Sequence, residues 1–173
     1  ACLNGHVEIV KILLSKEIVD VNAGTSDTNQ TPFYAACLNG HVEIVKLLLD
    51  DNNIVDVSKT RSDNGQSAFY IACANGHVDV VALLMNNEKV DMSKERIDNG
   101  QSGFYIACAN NHVDVVKLLS ENNTIDVNKE TTEKKCKTPL IVACVNGHIE
   151  VVKVLLENKA IDLNKGINKK TPL

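Results

Sequence analysis

Short apolar runs alternate with polar clusters along this chain in a rhythm that returns. In Val42-Glu43-Ile44-Val45-Lys46-Leu47-Leu48-Leu49, residues Val42, Val45, Leu48 and Leu49 fall at i, i+3, i+6 and i+7. That spacing predicts a helix with one apolar stripe. Glu43 and Lys46 are spaced to pair on its exposed side, as are Glu8/Lys11, Asp114/Lys117 and Glu150/Lys153, whereas Asp79/Ala82 is not. Just upstream, Thr31-Pro32-Phe33-Tyr34 predicts another helix start, with Thr as N-cap and Pro in the first turn. The run from Phe33 to Leu38 stops at Asn39-Gly40, where glycine suits the left-handed end of a helix. Asn111 stands at the equivalent place in a later copy, and asparagine is the other residue that tolerates that conformation.

The whole pattern recurs about His6, His41, His77, His112 and His148, at intervals of 35, 36, 35 and 36 residues. A fixed period of this length predicts stacked repeats. We divide residues 1–173 into a partial unit 1–30, units 31–66, 67–101, 102–137 and 138–170, and the start of a further unit at 171–173. Each unit holds two helices of about two turns, too short to persist alone, so stacking is obligatory. An extended leg follows the second helix (Val55-Asp56-Val57-Ser58, Val90-Asp91-Met92-Ser93), then a polar tip such as Ser62-Asp63-Asn64-Gly65-Gln66, whose Asp-Asn-Gly is turn chemistry. Ser67, Ser102, Thr138 and Thr171 start the next helices; Ala68 and Gly103 replace the proline in two units.

Composition adds exclusions. Net charge is −4, which makes no electrostatic case for nucleic acid or an anionic membrane. No apolar run reaches the ~18–20 residues a membrane span needs. The chain opens inside a motif, so no signal peptide can be read. Three Phe, three Tyr and no Trp leave packing to aliphatic side chains. Cys2, Cys37, Cys73, Cys108 and Cys144 occupy equivalent positions, and equivalent helices lie about 8–10 Å apart, beyond disulfide reach. They are expected to be buried free thiols, which suits a reducing, cytoplasmic compartment. Each Cys-x-x-x-His pair offers two ligands on two helices where structural zinc takes four, so no metal is expected and the histidines should satisfy local backbone. No catalytic or cofactor signature stands out, and no enzyme activity is expected. Cys136, among Lys134, Lys135 and Lys137, has surroundings that would lower a thiol pKa; an incidental exposed cysteine is the simpler reading.

Helix, tight Gly turn, helix, leg and tip, with Thr-Pro-Phe-Tyr-Ala-Ala and Asn-Gly-His-Val-Glu-Ile-Val-Lys-Leu-Leu-Leu, resembles the ankyrin repeat over the whole chain. The resemblance implies an all-α solenoid with β-hairpin-like tips. The units are longer than the family's 33 residues or so. Tyr34, Tyr70, Tyr105 and Ile141 stand where the family usually has His, which bears on its Thr–His network.

What the resemblance implies for function is a monomeric, non-catalytic protein-interaction module, docking a protein on its concave side. Carried over, the binding rows are Leu38, Ala74, Ala109 and Val145; Asn39, Asn75, Asn110 and Asn146; and the tip residues Gln66, Gln101 and Lys137, with Gln30 and Lys170 in the same tip row. The tips pass from Asp27, Asp63 and Asp98 to Lys134, Lys135, Lys169 and Lys170, a gradient that would orient a partner. Asn22, Asn128 and Asn164 sit where ankyrin repeats resemble substrates of asparagine hydroxylases, with turn capping as the plainer role. Units three and four are nearly identical, which favours a spacer or low-specificity strip there. The alternative function is therefore a structural spacer; an effector enzyme would need a catalytic domain outside these residues.

Overall fold

The computed structural model describes residues 1–16, 18–50, 55–132 and 137–165. Within them a 3-10 turn, Cys2–Asn4, precedes α1 (Val7–Leu14), α2 (Pro32–Leu38), α3 (Val42–Leu49), α4 (Ala68–Ala74), α5 (Val78–Met85), α6 (Gly103–Ala109), α7 (Val113–Ser120), α8 (Pro139–Val145) and α9 (Ile149–Glu157). The helices form two rows: α2, α4, α6 and α8 stack in order, as do α1, α3, α5, α7 and α9, and each unit's two helices pack on each other. The expected caps form, with Thr31, Ser67, Ser102 and Thr138 accepting from the backbone N–H of Tyr34, Tyr70, Tyr105 and Ile141. Such a cap is worth about 1 kcal/mol, a large share for a two-turn helix.

The core is a set of layers, one per interface. Phe33, Phe69, Phe104 and Leu140 repeat along it, as do Ala36, Ala72, Ala107 and Ala143, all buried. Full burial of side chains of the Val, Leu or Phe kind contributes about 1.5–3 kcal/mol each, and completing it requires the stacked neighbours. Gly103 has a packing reason rather than a turn reason: a Cβ there would lie 2.8 Å from the ring of Phe69 and 3.2 Å from Cys73 Sγ. Cys37, Cys73 and Cys108 are buried free thiols as expected, but Cys2 is half-buried and Cys144 is exposed. The helices that carry the buried cysteines, α2, α4 and α6, each have a following first helix packed on them, whereas no described first helix follows α8.

Gly40, Gly76 and Gly147 adopt φ of 70°, 72° and 73°, and Asn111 follows at 61°. The legs differ from the extended segments expected. Asp56 and Asp91 carboxylates each accept from the backbone N–H of the serine two residues on, at 3.0 and 2.9 Å, folding the leg into a turn. The tips close like hairpins, with Arg61 N–H donating to the Gln66 carbonyl and Gly65 N–H to that of Arg61, both at 3.0 Å. No strand forms among the described residues. Instead successive tips are bonded in a row: Ser62 N–H to Thr28 O, Ile97 N–H to Asn64 O, Thr132 N–H to Asn99 O.

Candidate interaction surface

Asn39, Asn75, Asn110 and Asn146 all lie exposed where the first helices end. Their amides are held in two ways. Asn39 and Asn75 donate from Nδ2 to the carbonyls of Ala35 and Ile71 in their own helix, at 2.9 and 3.0 Å. Asn110 and Asn146 donate to Ala74 and Ala109 of the preceding unit, at 2.8 and 3.0 Å. Leu38, Ala74 and Ala109 are half-buried beside them, and Val145 is 67% exposed at the end of the row.

The histidines do not satisfy local backbone. Nε2 of His41, His77, His112 and His148 lies 3.0, 2.9, 2.8 and 2.9 Å from the carbonyl oxygens of Leu3, Leu38, Ala74 and Ala109, each in the preceding unit. A carbonyl only accepts, so the hydrogen belongs on Nε2. The rings of His41, His77 and His112 also fill the space over Gly5, Gly40 and Gly76 of the preceding units: a Cβ on Gly40 would sit 2.6 Å from His77 Nδ1.

The tip glutamines turn inward. Tyr34 and Tyr70 are buried in the core, and their hydroxyls donate to Oε1 of Gln66 and Gln101 one unit later, at 2.8 and 3.0 Å. Thr31 and Ser67 hold the same tyrosines by their backbone N–H groups, so a Thr/Ser–Tyr–Gln arrangement stands where a Thr–His network was in question. Burial pushes both tyrosine hydroxyls above their usual range, and the nearby Arg61 and Arg96 partly oppose the shift.

Arg61 and Arg96 grip Asp63 and Asp98 with two N–H groups each, which holds those carboxyls below their usual range. Arg96 also lies over the Tyr70 ring, 5.9 Å from its centre. The acidic half of the expected tip gradient is thus neutralised at Asp63 and Asp98. Lys134, Lys135, Lys169, Lys170, Thr171 and Cys136 lie outside the described residues. Lys137 is half-buried; its N–H donates to Thr131 Oγ1 and its carbonyl accepts from Thr131 N–H, both at 3.1 Å. Asn128 works inside the stack, accepting from Asp162 N–H at 2.9 Å and donating to Ala160 O at 2.7 Å. Asn22 accepts from Asp56 N–H at 2.7 Å, while Asn164 is exposed.

Sequence reasoning missed the histidine reach, the Tyr–Gln bonds and the Arg–Asp grips. A tyrosine in three successive units, each with a Gln or Lys at the same place one period later, was the available signal. No group of three or more His, Cys, Asp or Glu side chains among the described residues is placed to hold a metal ion. No helix among them is long and apolar enough to cross a membrane.

Paired short helices in two stacked rows, tied by side chains reaching one unit back, define a helical repeat solenoid. The family model described as ankyrin repeats (3 copies) matches residues 1–61, 53–131 and 126–173, so the chain belongs to the ankyrin-repeat family. No curated protein matches the chain. Ankyrin repeats are in general protein-interaction modules and non-catalytic.

Proposed function

We propose that this array docks one protein partner against the row Leu38, Ala74, Ala109 and Val145, with Asn39, Asn75, Asn110 and Asn146 supplying polar contacts. One observation carries the reading. Four exposed amides at equivalent positions are each held by one hydrogen bond beside an apolar row. A primary amide has two donors and an acceptor oxygen, so a single bond orients it and leaves hydrogen-bonding capacity for a partner. Orientation before binding lowers the ordering cost of association. Gln66, Gln101 and Lys137 serve mainly to set the tips. We read the module as a monomer in a reducing, cytoplasmic setting, and the buried free thiols support the setting.

A spacer is the second reading, favoured by the same Gln66 and Gln101 side chains, which are spent on the preceding unit's tyrosines. The deciding experiment captures partners from a reducing extract with the wild-type array and with Ala74→Arg/Ala109→Arg, checked for folding by circular dichroism. Lys46→Glu/Lys153→Glu on the second-helix side is the control. A protein retained by wild type and the control but lost on the arginine variant supports groove docking. Equal retention by all three, or none by any, leaves the spacer.

A further inference from the structure

At two successive interfaces a lysine joins the legs of neighbouring units, and at the next interface the equivalent lysine pairs differently. Lys59 Nζ donates to the carbonyl of Asn22 at 2.9 Å, and Lys94 Nζ donates to that of Ser58 at 3.1 Å. By the same spacing Lys129 would reach the carbonyl of Ser93. It pairs instead with Glu95 Oε1 at 3.0 Å, and Gly24 and Thr60 hold the place of Glu95 in the earlier units. Beside this pair lies a cavity of about 320 Å³ whose lining includes Met92, Ser93, Ser102, Phe104 and Ile125, together with Glu95 and Lys129. Its apolar members suit a methylene stem, and Ser93 O and the Glu95 carboxylate suit an ammonium head. The Glu95 side chain is 25% exposed, so its charge is partly withdrawn from water and favours a cation more strongly than a fully solvated carboxylate would.

We propose that this cavity accepts the side chain of a lysine from a docked protein, its ammonium taking the Ser93 carbonyl and Glu95 while Lys129 yields. In effect the incoming lysine makes the contact that Lys59 and Lys94 make within the chain at the earlier interfaces. The site shares no residue with the groove row, so it stands or falls independently of the groove reading.

The test titrates the full chain with Nα-acetyl-lysine amide and follows backbone amide shifts by NMR. Nα-acetyl-norleucine amide, which has no ammonium, is the control. Saturable shifts at Ser93, Glu95, Ser102 and Thr124, absent at Asn22 and Ser58 and weaker with norleucine, are expected. Lys129→Ala removes the internal competitor and should tighten binding several-fold. Glu95→Thr, which copies Thr60, should return Lys129 to Ser93 and abolish binding, with Glu95→Gln as the charge-only check. No saturable shift in either wild type or Lys129→Ala, equal response to norleucine, or unchanged binding in both Glu95 variants would overturn the proposal. Spermidine bound in preference to the lysine amide would overturn its assignment to a protein's lysine.

Discussion

Nε2 of His77 donates to the carbonyl of Leu38 across the gap between two units, at 2.9 Å. The equivalent carbonyl one unit on, Ala74, receives two bonds, from His112 at 2.8 Å and from Asn110 at 2.8 Å. The difference arises because Asn75 bonds its own helix. His77→Ala therefore strips Leu38 O of its histidine with no asparagine to replace it, and should cost about 1–3 kcal/mol. His112→Ala should cost less, about 1 kcal/mol. Urea unfolding of the two variants, compared at constant m, reads the order directly; equal costs would mean that Asn110 does not compensate.

Gly40 and Gly147 share the left-handed conformation but not the surroundings. A Cβ on Gly40 would meet His77 at 2.6 Å, while nothing lies within 4 Å of one on Gly147. Gly147→Ala should show the backbone cost alone, about 1–2 kcal/mol. Gly40→Ala should cost clearly more, and His77→Ala in the same chain should relieve part of the excess. A purely additive double variant would refute the steric link.

Tyr70 reaches Gln101 through its hydroxyl at 3.0 Å. Tyr70→Phe should lose about 1 kcal/mol, because it leaves Gln101 Oε1 short of a partner. Tyr70→Phe with Gln101→Met should destabilise by less than the sum of the single changes, since both polar partners leave together. A thermodynamic cycle on thermal or urea unfolding measures the coupling, expected at about 0.5 kcal/mol or more.

Burial pushes the thiols of Cys37, Cys73 and Cys108 far above their ordinary value, whereas Cys144 is exposed and only raised. Of Cys37, Cys73, Cys108 and Cys144, N-ethylmaleimide should label Cys144 first and the other three only as the array unfolds, read site by site by mass spectrometry. A raised folded-state pKa means the stability tied to these groups is whole below the unfolded thiol value. It is lost as pH rises past roughly 8.5. The urea midpoint should accordingly fall between about pH 8 and 10, and a Cys37→Ala/Cys73→Ala/Cys108→Ala chain should lose most of that dependence.

The period, both helices of each full unit, their caps at Thr31, Ser67, Ser102 and Thr138, and the left-handed Asn111 were all legible in the sequence. All of these are local: a cap needs its own next turn, and a stripe needs only spacing within one helix. What the repeat cannot show is where an equivalent residue spends its side chain. Asn75 and Asn110 occupy the same position, yet one bonds its own helix and the other the unit before. His77, Gln66 and Lys129 likewise owe their partners to how one unit sits on the next. Stacking settles these, because contacts between residues one repeat apart depend on how far the units stand from each other and on what the neighbouring unit leaves unbonded. The candidate groove was legible as a row of residues; whether each amide in it faces solvent or the stack was not.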